Sequence, residues 1–235
     1  MSEPAATTNT AKRAETTRMF ESDFIEYFSR IHPVTPFVAW IPVMAFMLYR
    51  SAERHVLSVA STLGLFALGL LVWTFLEYVL HRWVFHWIKD TPTARRIHFL
   101  LHGVHHDYPS DKDRLVMPLG FSIPLGCLIY ALVYFTVGQM YGEAMFAGLI
   151  LGYLGYDGTH YAVHHFRQTT KLGKYVKRHH MLHHHVDNEG GFGVSTPLWD
   201  VIFGTMPRPK RRASGHLVTP QQGPGGDNAG LPTSA

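Results

Sequence analysis

Fourteen of the 17 histidines in this chain lie between His81 and His185. They fall in four short texts. HRWVFH carries His81 and His86; HFLLHGVHH carries His98, His102, His105 and His106; HYAVHH carries His160, His164 and His165; HHMLHHH carries His179, His180, His183, His184 and His185. On a helix, residues at i, i+3 and i+4 share a face. His102, His105 and His106 have that spacing, as do His180, His183 and His184, and His160 with His164. Three imidazoles on one face can point at one small volume, and neutral imidazole is a ligand for iron, zinc and copper. His81 and His86 are five apart, which does not suit one face of an ideal helix. They need a bend, a bulge or two different metals. Ten candidates exceed what one ion takes and point to a dimetal site. The same HxxHH text occurs twice, far apart, which argues against a loose metal-storage tract.

Imidazole ligands need acceptors that fix their tautomers. Carboxylates stand close by: Glu77, Asp107, Asp157 and Asp187. Asp157 precedes His160 by three residues and Glu77 precedes His81 by four, so both can face the same way as those histidines. They can equally serve as snorkelling or capping residues. His98, His165, His179 and His185 are supernumerary, and His98 and His179 join Glu77 and Asp157 as candidates to orient the ligands from outside. Other site chemistries find no text: HExxH, GxSxG, a P-loop and GxGxxG are all absent. The lone cysteine, Cys127, sits in an apolar run and allows neither an intrachain disulfide nor a thiolate zinc site.

The elements that must hold these histidines are apolar. Of 235 residues, 46% are hydrophobic and only 16% charged, against about 25% charged in an ordinary soluble domain. The apolar residues concentrate in four segments, at about 34–49, 56–80, 115–137 and 144–163. A spanning helix needs roughly 20 such residues. The second and third segments meet that. The first is short and holds Pro36 and Pro42; the fourth carries Gly148, Gly152, Gly155 and Gly158, which permit close helix packing. The net charge of +4 resides in basic residues flanking these runs, so it reads as topology and headgroup charge rather than nucleic-acid binding. Lys and Arg crowd the N-terminal segment, the stretch after the second run and the stretch after the fourth. Arg50 and Arg54 lie in the first short loop, and none lies in residues 138–142. The positive-inside rule then puts both termini and the histidine region in the cytoplasm. The expected fold is all-α: an integral membrane protein with about four transmembrane helices in two hairpins and a cytoplasmic helical cap holding the dimetal site. Residues 1–17 and 213–235 are expected to be disordered around a single membrane-embedded domain, 18–212.

At these residues the chain resembles the fatty acid hydroxylase and sterol desaturase superfamily, and within it most the fatty acid 2-hydroxylases, the sphingolipid alpha-hydroxylases. The similar text is EYVLHRWVFH at 77–86, HFLLHGVHHDYPSDKDRLVMP at 98–118, YDGTHYAVHH at 156–165 and HHMLHHHVDNEGGFGVSTPLWDVIFGT at 179–205. The resemblance implies ten ligands: His81, His86, His102, His105, His106, His160, His164, His180, His183 and His184. Counting back from the GFGV text favours His180, with His179 as the alternative. It implies two iron ions, with zinc able to occupy the same sites in purified protein, and O2-dependent hydroxylation of a lipid acyl chain at C2. The acyl chain would be that of a fatty acid or of a ceramide, with an apolar slot near Trp83, Phe85 and Trp87. An ornithine lipid, a sterol-like lipid or a carotenoid is the alternative substrate, and a non-catalytic membrane metal-binding protein the alternative of another class. Many family members carry a fused haem-binding domain with an HPGG text; here His32-Pro33 is followed by Val34-Thr35, so electrons are expected from a separate donor protein. The expected membrane is the endoplasmic reticulum in a eukaryote or the inner membrane in a bacterium.

Overall fold

Long apolar runs without charged breaks close their backbone hydrogen bonds internally, and helices are the result. The computed structural model describes residues 16–54, 56–86 and 90–208. The expected disordered ends fall almost wholly outside these, as does Trp87. Among the described residues every regular element is helical: α1 (Asp23–Ser29), α2 (Thr35–Glu53), α3 (Val59–Val79), α4 (Pro92–His98), α5 (Val104–Asp107), α6 (Leu119–Val137), α7 (Gln139–His165), α8 (Lys171–His185) and α9 (Leu198–Phe203). Two π-helical stretches, Leu80–Phe85 and Phe99–Gly103, continue α3 and join α4 to α5.

The apolar segments become α2, α3, α6 and α7. Two helices, Val59–Phe85 and Leu119–Val137, are long and apolar enough to cross a membrane, and only 11% of each apolar window is buried within the protein. A core helix of a water-soluble protein would be mostly buried. Here Leu63, Leu71, Leu128 and Phe135 face outward, and acyl chains are the medium that suits them. The helix α7 is different. Gly142, Gly148, Gly152 and most of its apolar side chains are buried, and it forms the axis against which α2, α3 and α6 pack.

The α3–α7 contact is backbone on backbone. A Cβ on Gly148 would lie 1.9 Å from the Phe66 carbonyl oxygen, and one on Gly69 would lie 1.9 Å from that of Met145. Small residues permit this approach, and dispersion between the closely packed backbones supplies the attraction that water cannot supply inside lipid. Trp73 of α3 and Trp40 of α2 both pack edge-on against Tyr153 of α7, with ring centroids 5.4 and 6.1 Å away.

The two ends of the bundle differ. At the end where α2 meets α3, Arg50 and Arg54 both pair with buried Glu143, at 3.3 and 3.2 Å. One carboxylate thereby offsets much of the positive charge in the first loop. At the other end α3 and α7 run on into a cap made of α4, α5, α8, α9 and the 186–197 loop, with α1 laid across it. That end carries the histidines.

Gly148→Ala should lower stability by about 1–3 kcal/mol or more, as forced overpacking does. Gly155→Ala, where an added Cβ meets nothing within 4 Å, should be close to neutral. Thermal unfolding in detergent micelles compares the two.

Candidate metal centre

The first histidine text solves its five-residue spacing by changing helix type. In the π-helical turn after α3 the His86 N–H donates to the His81 carbonyl at 3.1 Å. An i→i+5 turn brings residues five apart into register, and such turns favour functional sites. His81 and His86 therefore face the same volume, and the bulge is the alternative the chain adopts.

The two HxxHH texts differ from the expectation of one volume per triad. Each straddles two. Relative to i, position i+4 is turned about 40° one way and i+3 about 60° the other. His102 and His106 go one way and His105 the other; His180 and His184 go one way and His183 the other. The result is two groups of five: His81, His86, His102, His106 and His183 in one, and His105, His160, His164, His180 and His184 in the other. Within each group the donor nitrogens lie within 4.8 Å of one another. Each HxxHH gives its i, i+4 pair to one group and its i+3 residue to the other, so neither group forms without both.

Nearest Nε2–Nε2 separations are 3.0 Å for His81–His102, 2.9 Å for His102–His106 and 3.1 Å for His86–His183 in the first group. In the second they are 2.9 Å for His105–His160, 3.1 Å for His105–His184 and 2.9 Å for His164–His180. Adjacent ligands at right angles around an ion with bonds near 2.1 Å stand about 3.0 Å apart. Hydrogen bonds also fix two tautomers. The His81 Nδ1–H donates to the Phe192 carbonyl at 2.6 Å and the His183 Nδ1–H to the Gly190 carbonyl at 2.8 Å. A carbonyl only accepts, so both Nε2 atoms turn bare lone pairs inward. A neighbouring Nε2–H can donate to either lone pair in the metal-free rings, and a divalent cation between the rings would take up the lone pairs of all five. The donor set fits one divalent metal ion per group.

Burial keeps these rings neutral, as ligation requires. It pushes His86 down to about 3, with the neighbouring His183 adding to the effect. Burial likewise takes His106 to about 2 and His183 to about 4.

The outer residues act mainly through a loop. Gly191 has φ +80°, a conformation that favours glycine. A Cβ on Gly193 would lie 2.1 Å from the Thr196 carbonyl oxygen. These allowances let the 190–195 loop present the Gly190 and Phe192 carbonyls to two imidazoles. Glu77 serves this loop and not His81 directly: its carboxylate accepts from the Val194 and Ser195 N–H groups at 2.6 and 2.8 Å and from the Ser195 hydroxyl. Asp200, which the sequence reading did not single out, accepts from the Phe192 and Gly193 N–H groups at 2.9 and 2.8 Å, from Thr205 Oγ1 and from His179 Nε2 at 3.1 Å. Burial raises its carboxyl, but these bonds, that from His179 first, hold it below its ordinary value. No spacing rule marks Asp200, because its partners come from the loop and α8.

His179 thus points at Asp200 and stands outside both groups, while His180 stands within the second. His98 donates from Nδ1 to the Phe85 carbonyl at 2.6 Å and sits beside His86. His165 and His185 join neither group. Asp157 is fully buried, with its carboxyl beside Tyr153 and the Met117 backbone, and it makes no hydrogen bond to His160 Nδ1, which has no partner among the described residues. A cavity of about 190 Å3 touches His102 of one group and His105 and His160 of the other, with Phe85, Met117 and Tyr156 on its walls. Trp83 lines a separate outer hollow.

Fold and site together define a helical membrane protein whose cap gathers ten imidazoles into two metal-sized groups. The fatty acid hydroxylase family model matches residues 66–205, which contain all ten, and the chain belongs to that family of enzymes. It is 35% identical over 198 residues to a dihydroceramide fatty acyl 2-hydroxylase of Arabidopsis thaliana, covering 82% of this chain and 81% of the relative. It is 38% identical over 171 residues to the ceramide very long chain fatty acid hydroxylase of Saccharomyces cerevisiae, covering 72% of this chain and 44% of that one. A solved structure of full-length scs7p, with only the hydroxylase domain visible, superposes with a TM-score of 0.73 at 35% identity, covering 78% of this chain and 70% of that one.

Two outcomes are expected. His86, His106 and His183 have folded values below the ordinary 6.5, so the unfolded chain binds more protons than the folded one at intermediate pH. Their contribution is full above about 6.5 and is lost as pH falls through their folded values. The melting temperature of metal-stripped protein should therefore drop steadily from pH 6.5 to about 4; a flat profile would contradict neutral burial. Gly191→Val should also lower metal content, read by elemental analysis of folded protein, by loosening the acceptors of His81 and His183.

Proposed function

We propose that the protein hydroxylates C2 of a lipid acyl chain, that of a fatty acid or the N-acyl chain of a ceramide, with O2 and two electrons from a separate donor protein. The observation that carries this reading is the cavity that touches both five-histidine groups. A chain lying in it reaches both at once. An acyl C–H bond is too strong for side-chain acid–base chemistry, and two iron ions held by the ten histidines would supply the activation of O2 that it needs. The donor set also accepts zinc, but zinc has no redox chemistry and could not serve this reaction in place of iron. In balance, one oxygen atom enters the C–H bond and the other leaves as water with two electrons and two protons.

The chain's own residues hold and shield. His81, His86, His102, His106 and His183 would hold one ion, and His105, His160, His164, His180 and His184 the other. Glu77 and Asp200 brace the loop that fixes two of these rings. Phe85, Met117 and Tyr156 give the acyl chain an apolar wall that excludes water. The relatives' printed activities, ceramide and fatty acyl 2-hydroxylation, support C2 as the target.

Four helices, α2, α3, α6 and α7, cross the membrane in this reading, with both termini and the histidine cap in the cytoplasm. The basic residues gathered at the cap end, and the pairing of Arg50 and Arg54 with Glu143 at the other, support that orientation. The membrane would be the endoplasmic reticulum of a eukaryote or the inner membrane of a bacterium.

Mass spectrometry of lipids from a host expressing the protein, beside a His105→Ala control, tests the reading. An acyl species heavier by one oxygen at C2, absent in the control, is expected. Equal lipid profiles in the presence of iron, substrate and reductant would overturn it.

A further inference from the structure

The inference rests on acyl C2 hydroxylation and concerns what selects that carbon. C2 is bonded directly to the acyl carbonyl. An enzyme that oxidises C2 must therefore hold the carbonyl within the same cavity as its histidines, and a distant headgroup site would not set the position. The ≈190 Å3 cavity has Arg114 and Ser29 on its wall. The Arg114 side chain is only 1% exposed. It is a buried guanidinium beside a site for an apolar chain, and acyl hydroxylation as described above does not use it.

Its bonds leave donors to spare. Nη1 donates to Ser29 Oγ at 3.0 Å, Nη2 donates to Glu26 Oε1, and Nε lies 3.5 Å from Asp111 Oδ2 in an ion pair but makes no hydrogen bond. A guanidinium has five N–H groups. The Ser29 hydroxyl hydrogen is spent on the Glu26 carbonyl at 2.8 Å, so Ser29 holds Arg114 as an acceptor. Glu26 and Asp111 carry two negative charges against Arg114 and Arg30, which pairs with Glu26 at 3.3 Å. The cluster is balanced, so it suits a neutral carbonyl better than a carboxylate, whose extra charge would be buried uncompensated.

The position along the access route agrees. A larger groove of about 1000 Å3 runs beneath α1, between Tyr27 and Phe28 on one side and Leu119 and Gly120 on the other. It shares Met19, Ser29, Leu100, Pro118 and Phe121 with the inner cavity, and these form the neck between them. The helix α1 is pinned over that neck by Glu26, which accepts from the Met19 and Phe20 N–H groups at 3.0 and 3.2 Å, and by the Ile31 N–H, which donates to the Asp113 carbonyl at 2.8 Å.

We propose that Arg114, braced by Ser29 and Glu26, is a positioning residue that donates to the acyl carbonyl at the neck and so places C2, rather than a later carbon, against the histidines.

The test uses the full-length protein in its expressing host and in purified form with an N-acyl sphingoid base. Fragmentation mass spectrometry locates the new oxygen. Arg114→Lys keeps the charge facing Glu26 but loses the fork, and Ser29→Ala keeps the ion pair but removes the brace. Arg114→Lys is expected to raise KM about tenfold, the effect of one lost hydrogen bond, and to spread product from C2 onto C3 or C4. Ser29→Ala should show the same spread in smaller measure. A purely structural role would lower total activity and leave all product at C2, and that result overturns the proposal. If Arg114→Lys loses its metal or aggregates, Ser29→Ala decides: strict C2 product with unchanged KM overturns it. Spread product from Tyr156→Phe alone would assign the carbonyl to that hydroxyl and also overturn it. Absence of any hydroxylated lipid from the unsubstituted protein would instead remove the underlying reading of the activity.

Discussion

Ten imidazoles with ring nitrogens converging on two small buried volumes are the constraint on which the rest of the structure depends. Two of these rings turn a bare lone pair inward, because carbonyls take the opposite N–H. Neutral rings held 3 Å apart in this way gain little from one another and lose hydration. The arrangement becomes favourable once a cation takes up the lone pairs. Each feature of the cap follows from this need: rings kept uncharged by burial, acceptors placed behind them, and rigid elements beneath.

The membrane bundle supplies the rigidity. Glycines bring α3 and α7 into backbone contact, and both helices run directly from the bundle into the histidine cap. His81 and His160 are thus carried on the ends of two packed helices rather than on loops, which suits a site needing sub-ångström placement. His86 follows His81 and His164 follows His160 on the same two segments; the other six candidates come from the two HxxHH texts, one on α8 and one spanning the second π-helical stretch and α5, and each of these texts serves both groups. Such sharing couples the two volumes mechanically: displacing either HxxHH disturbs both. The 190–195 loop closes the arrangement, and its carboxylate anchors, Glu77 and Asp200, come from α3 and α9.

The access route is built on the same economy. The cavity wall that exposes His102, His105 and His160 is mostly apolar, as an acyl chain requires, with Arg114 and Ser29 as its polar exceptions. The few polar groups near its neck cluster under α1, where Arg114 keeps donors beyond those it gives to Ser29 and Glu26.

Much of this was legible in the residues themselves. Fourteen histidines at repeated helical spacing announce a metal site, and long apolar runs announce membrane helices, because ligand chemistry and hydrophobicity belong to residue types. The conflict of His81 with His86 was legible too, since five does not fit a 3.6-residue turn, but its resolution by a π-helical turn was not. Spacing places His102, His105 and His106 on one face, yet it cannot say that the face looks onto two volumes at once; the division depends on what packs opposite. Asp200, the Gly190 and Phe192 carbonyls and the turning of His179 away from the site were hidden for the same reason. Local sequence determined which groups could bind metal and which segments could enter lipid. Tertiary packing alone decided which imidazoles meet, because their meeting is set by contacts between residues as many as about a hundred positions apart.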